Sequence, residues 1–467
     1  MTVVVSKRGK SFDWITAAIY FALVIIGWLM IYSATSTADT RWVPSFSDLH
    51  GKQLLWIIVS LAGLSATLLI PFVFWRNFSF VIYFFSIILL VAVLVFGKEI
   101  NGARSWFSLG IFTFQPAEFA KLATALAVAS YASSTTFKIN DRKAFLTGMA
   151  LFLVPALLIL IQPDAGSTLV FFSFFILFYR LGLWNGYFIL FFTAMALFIF
   201  STIYGPLAVI LILSIIGSCF LFYNLQLSTL PYLLIFAASL ITTIIVSYFY
   251  NAEKWALIIN GVVFLIMALL TFLNKKFRLI GIILPFVLGG ALFAYSTNFL
   301  IHNFLEPHQQ ERINVWLQPS KADPRGSLYN VIQSKVAIGS GGWSGKGFSE
   351  GSMTKLNYVP EQSTDFIFCT VGEEQGFIGV FAVLILYAIL IGRIFLLSDQ
   401  SRKPFTKNYG YILGGILFFH FFINVGMTMG LVPIIGIPLP FLSYGGSSLI
   451  FFSLMVGVFL RLQMDDR

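Results

Sequence analysis

The chain has 467 residues, of which 58% are hydrophobic, 17% aromatic and 10% charged, where a soluble globular domain carries about 25% charged residues. This composition argues against a cytosolic enzyme, a nucleic-acid binder or a disordered scaffold. The formal net charge of +10 then reads as basic loops on the cytoplasmic side of a membrane, with no nucleic acid as partner. Cys219 and Cys369 stand far apart in apolar surroundings and form neither a disulfide framework nor a zinc site.

The expected fold is all-α and polytopic. A crossing helix needs about 20 apolar residues. Such runs lie near 14–34, 54–73, 78–97, 116–133, 144–162, 167–182, 187–204, 206–223, 232–250, 256–273, 279–298, 366–391, 410–431 and 447–463, about fourteen transmembrane helices in all. The crowded stretches 167–204 and 206–250 are divided by Trp184-Asn185-Gly186 and Gly205-Pro206. The first run is longer than the usual h-region of a signal peptide, about 7–15 residues, and is read as an uncleaved span. With the N-terminus inside, seventeen of the 29 basic residues fall on the cytoplasmic side and six in short outer segments. Both termini are therefore expected in the cytoplasm. The chain divides into N-terminal helices (1–186), a variable middle (187–298), a large extracytoplasmic loop (299–365) and C-terminal helices (366–467).

Polar residues are costly near a bilayer, and they gather in four places on the outer side. The first holds Arg104 and then Gln115-Pro116-Ala117-Glu118-Phe119-Ala120-Lys121. Pro116 suits a first helical turn, and Glu118 and Lys121 share a helical face three residues apart. They are either an acid at a helix start with a snorkelling partner or a buried pair lining a polar cavity. In the second, Gln162-Pro163-Asp164-Ala165-Gly166, Asp164 is a candidate cap for the next helix. The third is the long loop. Leu328, Val331, Ile332 and Val336 follow helical spacing with Asn330, Gln333 and Ser334 opposite, which suggests a helix lying on the membrane surface. Its Gly339–Gly347 stretch lacks P-loop spacing, because Ser340 occupies the first glycine position; a flexible anion-contacting turn around Lys346 is the remaining functional reading. The loop closes on Pro360-Glu361-Gln362-Ser363-Thr364-Asp365. Asp365 is either a helix N-cap or a partly desolvated carboxylate usable as a base. Glu373 and Glu374 follow inside the span and must turn to polar partners. The fourth, Gly436-Ile437-Pro438-Leu439-Pro440 through Ser443-Tyr444-Gly445-Gly446, is too rich in Pro and Gly for a helix. Such backbone survives at membrane depth only when buried in protein or lining a wet cavity.

Together with Ile332-Gln333-Ser334-Lys335-Val336-Ala337-Ile338-Gly339-Ser340-Gly341-Gly342, these stretches occur in an order that resembles the SEDS family (shape, elongation, division and sporulation) of bacterial membrane glycosyltransferases. Gly345-Lys346-Gly347 and Val359-Pro360-Glu361-Gln362 resemble its elongation branch. The resemblance covers about 1–186 and 299–467 and not the whole middle. The family usually has ten spans, so four extra ones are expected within 187–298. Asn357 stands where some members carry an acid.

The resemblance implies a peptidoglycan glycosyltransferase in the bacterial inner membrane. It would join a glycan on undecaprenyl pyrophosphate to the sugar hydroxyl of lipid II, with a class B penicillin-binding protein as transpeptidase partner. On this reading Asp365 is the general base and Lys121, Arg104 and Lys346 contact the pyrophosphate. Glu118 orients Lys121, and Asp164, Glu361 and Glu374 support. No cofactor is demanded; a divalent cation such as Mg or Mn is an open option, its ligands unknown. The alternatives are a flippase or transporter of the lipid-linked precursor, which suits intramembrane charges and broken helices, and a non-catalytic scaffold.

Overall fold

In hydrocarbon every backbone N–H and C=O needs a partner within the chain, so apolar runs of this length become helices. The computed structural model describes residues 12–36, 48–100, 102–108, 110, 113–225, 230–249 and 253–466. Among them eleven helices are long and apolar enough to cross a membrane, against the fourteen spans expected. The other three expected spans fall on Pro116–Ala132, on Ala165–Arg180 and on Leu230–Phe249. Pro116–Ala132 has 17 residues and rises only about 26 Å. Ala165–Arg180 is interrupted by a 3-10 turn at Phe171–Phe174.

Two compact units form, one from Met1–Leu183 with Pro324–Arg467 and one from Trp184–Asp323. The first begins with α1 (Trp14–Thr35), α2 (Leu49–Leu69), the short α3 (Phe72–Asn77) and α4 (Ser79–Phe96). Three short antiparallel strands follow, β1 (Lys98–Ile100), β2 (Ala103–Ser108) and β3 (Thr113–Phe114), in the order β1-β2-β3. Then come α5 (Pro116–Ala132), α6 (Arg142–Ile161), α7 (Ala165–Val170) and α8 (Phe175–Arg180). In α5 Ala117, Ala120, Ala123, Ala125, Ala127 and Ala129 are all fully buried. A helix buried on so many sides belongs in a core.

The second unit holds α9 (Gly186–Tyr204), α10 (Pro206–Leu225), α11 (Leu230–Phe249), α12 (Glu253–Leu273), α13 (Phe277–Asn303) and α14 (Pro307–Leu317). The breaks expected at Trp184–Gly186 and at Gly205 are present. Its core packs Leu221, Phe264, Ile283 and Val287 together, and Val209 with Leu213 and Ala294.

The chain re-enters the first unit with α15 (Ser327–Ser340), α16 (Ser352–Lys355), α17 (Ile367–Gln400), α18 (Pro404–Thr428) and α19 (Gly446–Asp466). The expected single loop 299–365 is thus divided. Its first part extends α13 and forms α14, and the Gln318 amide donates to the Thr202 carbonyl within the second unit. From Pro324 onward it belongs to the first unit. The helix expected from 328 to 336 forms, but with a different inner face. Val331, Ser334 and Ala337 are buried while Ile332 and Val336 are exposed. Ser334 turns inward because its hydroxyl donates to the Thr428 carbonyl at 2.6 Å.

α17 is broken at Gly376, whose φ of +60 only glycine adopts without strain. The Gly-rich loop repairs the break: Lys346 and Gly347 amides donate to the Glu373 and Glu374 carbonyls at 3.1 and 3.0 Å, and the Phe377 amide donates to the Gly342 carbonyl at 2.8 Å. These amides are spent on backbone, so an anion-contacting turn at 345–347 does not fit this geometry.

Candidate active site

Asp365 sits in the turn 361–366 that leads into α17. The N-cap of that helix is Phe366, whose ring makes no cap hydrogen bond. Asp365 Oδ2 lies against Gly436, where an added Cβ would come within 3.2 Å, and Gly436 adopts φ +74. The Pro/Gly-rich segment 436–445 is fastened to the turn that carries Asp365. Ser443 Oγ donates to the Thr364 carbonyl at 2.6 Å, and the Tyr444 amide donates to the Ser363 carbonyl at 2.8 Å. Burial pushes the Tyr444 phenol above its ordinary value. Asn424 on α18 donates to the carbonyls of both Asp365 and Ile437, each at 2.8 Å.

A charged cluster is buried in the same unit. Lys121 Nζ donates to Glu118 Oε1 at 2.8 Å and to His420 Nε2 at 3.0 Å, and stands 5.0 Å from the centroid of the Phe452 ring. His420 Nδ1 lies 3.1 Å from the Pro438 carbonyl. A carbonyl can only accept, so Nδ1 carries the proton and the neutral imidazole accepts from Lys121 at Nε2. Glu118 and Lys121 are therefore the buried pair of the two readings. Lys121, 1% exposed, is held by two partners and does not offer a free ammonium to a substrate in this conformation.

The first two motif stretches also meet. Asp164 caps α7 by accepting from the Ser167 amide at 2.9 Å, and its other oxygen accepts from Gln115 Nε2 at 2.9 Å. Ser447, after the Pro/Gly-rich segment, donates to the Thr113 carbonyl at 3.0 Å. Gly166 packs on Ile435 and Ile437.

Lys346 is placed differently from the expected pyrophosphate contact. Its Nζ donates to Glu373 Oε1 at 2.6 Å and to Ser352 Oγ at 2.8 Å. Glu373 also accepts from the Met353 and Thr354 amides, each at 2.8 Å, so this ion pair anchors α16. Glu374 accepts from Ser33 Oγ and from the Ser349 amide, tying α1 and the loop to α17. Both acids turn inward, as their depth requires. Arg104 is exposed on β2 opposite Glu99, its stem against Gly97. Glu361 is exposed at φ +54 and accepts from Thr364 Oγ1 at 3.0 Å. Asn357 accepts from Gln362 Nε2 at 2.7 Å.

Among the described residues no three His, Cys, Asp or Glu side chains gather to hold a metal ion. Three residues were not picked out from sequence. His420 and Asn424 were signalled by their i,i+4 spacing as polar groups on one face of an apolar run. Lys335, exposed on α15 with its ammonium beside Gly430, lay within a motif but gave no local sign of its placement.

The architecture and the convergence of buried polar motifs define a multi-pass helical membrane protein with an irregular, Pro/Gly-rich segment at its polar centre. The chain belongs to the FtsW/RodA/SpoVE family, described as cell cycle protein, whose profile matches residues 13–214 and 235–467. The match thus corrects the expected coverage, since it runs through most of 187–298 as well. The chain is 29% identical to the peptidoglycan glycosyltransferase RodA of Treponema pallidum, over 98% of this chain and 99% of the relative. It is 30% identical to the peptidoglycan glycosyltransferase MrdB of Escherichia coli K12, over 92% and 88%. A probable peptidoglycan glycosyltransferase FtsW of Idiomarina loihiensis is 28% identical over 98% and 88%. Two solved structures share the fold over 98% of both chains. One is from a peptidoglycan synthase complex that coordinates polymerization and crosslinking, with TM-score 0.60 and 24% identity. The other is the rod shape determining protein RodA of Thermus thermophilus, with TM-score 0.56 and 21% identity.

Proposed function

We infer that this membrane-embedded peptidoglycan glycosyltransferase polymerises lipid II at the outer face of the cytoplasmic membrane, with Asp365 as general base. The enzyme class follows from its family and from relatives that carry that name. In the step proposed, Asp365 takes the proton of the acceptor sugar hydroxyl and that oxygen attacks the anomeric carbon of the donor glycan. The bond from that carbon to the pyrophosphate breaks, and undecaprenyl pyrophosphate leaves with the electron pair. A pyrophosphate is a stabilised leaving group that needs positive charge more than a proton, whereas the hydroxyl is a weak nucleophile that needs a base. One inverting displacement needs one such carboxylate, where glycosidases use two.

The observation that carries this reading is the placement of Asp365, in the turn before α17 with its carboxylate set against Gly436 of the Pro/Gly-rich segment. Arg104 is the exposed member of the expected pyrophosphate contacts. Lys121 acts through its buried charge and by holding His420 beneath Pro438. A divalent cation, if the reaction uses one, would draw most of its ligands from the pyrophosphate, since the described residues gather no protein set. We further assign cytoplasmic termini, a role in elongation and a class B penicillin-binding protein as partner; these rest on the charge pattern and the family resemblance.

Glycan formation from purified lipid II tests the reading. Asp365→Asn is expected to lose about 10²–10⁴-fold in rate, the usual worth of a positioned base, with its thermal midpoint kept. Near wild-type polymerisation by the folded variant rules out the base.

A further inference from the structure

A primary amide carries two N–H donors. Asn424, fully buried on α18, spends both on main-chain carbonyls of segments far apart in sequence, one to Asp365 and one to Ile437, each at 2.8 Å. One turn earlier on the same face, His420 holds the next carbonyl of that segment, Pro438, at 3.1 Å. The two side chains therefore staple successive carbonyls of an irregular strand to a regular helix, and one of them also fixes the main chain of Asp365. On the carboxylate side of Asp365 the same strand presents Gly436, whose missing Cβ leaves Oδ2 its place.

We propose that Asn424 is a positioning residue for the glycosyl transfer, setting Asp365 in register with the wall Gly436–Pro438, with His420 as the second staple. The proposal rests on the reading of Asp365 as the base. Asn424 spends its hydrogen bonds on main chain; it acts through Asp365 and through the segment Gly436–Pro438 beside it. Its loss frees both segments at once, so Asp365 is still present but misplaced. A displacement of about 1 Å in a reacting group costs on the order of 10²-fold in rate, and it falls on turnover more than on substrate affinity.

The experiment measures kcat, KM and thermal midpoint for the full chain with lipid II. Asn424→Ala is expected to lower kcat by roughly 10²-fold with KM within about threefold. Gly436→Ala, which moves the wall from the other side without touching α18, is expected to lower kcat in the same way. Tyr409→Phe is the control: it removes a buried hydrogen bond from the same helix to the Met455 carbonyl, 3.0 Å long, and is expected to lower the midpoint while kcat stays. A folded Asn424→Ala with wild-type kcat overturns the proposal, and so does a Tyr409→Phe that loses kcat as much as Asn424→Ala. Should Asn424→Ala fail to fold, unchanged kcat in Gly436→Ala overturns it. Asp365→Asn assayed alongside separates the two ideas. Activity there removes the base, whereas an inactive Asp365→Asn beside an unaffected Asn424→Ala removes only the positioning.

Discussion

Two buried asparagines in apolar helices solve the same physical problem in opposite ways. In the second unit Asn260 of α12 donates to Ser214 Oγ of α10 at 2.7 Å, joining helix to helix. In the first unit Asn424 of α18 joins a helix to two irregular segments, one of which carries Asp365. Each leaves its amide oxygen without a partner among the described residues, so each has been placed for its donors. The helix pair α10–α12 already has a continuous apolar contact through Leu221 and Phe264, and the amide adds register to it. The turn 361–366 and the segment 436–445 have no ladder of their own, and there the amide replaces secondary structure. Of the two asparagines, only Asn424 is fastened to irregular backbone, and only that backbone carries Asp365.

The comparison is sharpest at Asp365, where Asp365→Asn is expected to remove about 10²–10⁴-fold of the polymerisation rate. It would break if a substitution at Asn260 did the same. Next comes Asn424→Ala, at roughly 10²-fold in kcat, as argued above. Glu373→Gln follows, read as stability. Its carboxylate accepts from Lys346 and from two backbone amides of α16, and an amide in its place turns a donor toward donors. We expect a lowered thermal midpoint equivalent to about 1–3 kcal/mol, with any loss of rate traceable to the loop it anchors. Asn260→Leu is expected to move the midpoint by about 0.6 kcal/mol, the average for interhelical hydrogen bonds in membranes, and to leave kcat unchanged. Asp399→Asn sets the floor. Its ion pair with Arg180, 2.6 Å long, is nearly half exposed on both sides, and exposed pairs contribute about 0–1 kcal/mol, so the midpoint should scarcely change.

Much of the site was legible piece by piece. Glu118 and Lys121 lie three apart on one helix, and their ion pair follows from that spacing. Asp164 before Ala165-Gly166-Ser167 reads as a cap, and it is one. The inward turn of Glu373 and Glu374 follows from the cost of charge in lipid. What misled was chemistry that looks alike in sequence. Lys346 among glycines reads as an anion contact, yet its charge and its amide are both engaged by α17. Asp365 before Phe366 reads equally as a cap or as a partly desolvated carboxylate, because no local pattern shows what its side chain will face. Ile332 and Val336 read as an inner face, and a hydroxyl at Ser334 outweighed them by finding the Thr428 carbonyl.

By itself the sequence determined the class of protein, since a chain this apolar must satisfy its backbone in helices, and it determined the local pairs, since helical periodicity acts over three or four residues. Only the tertiary structure decided that Lys121 meets His420, 299 positions away, and that Asp365 faces Gly436. Such meetings depend on how rigid helices pack and which irregular segments they clamp, and no local periodicity encodes a contact between elements whose relative placement is set by the whole core.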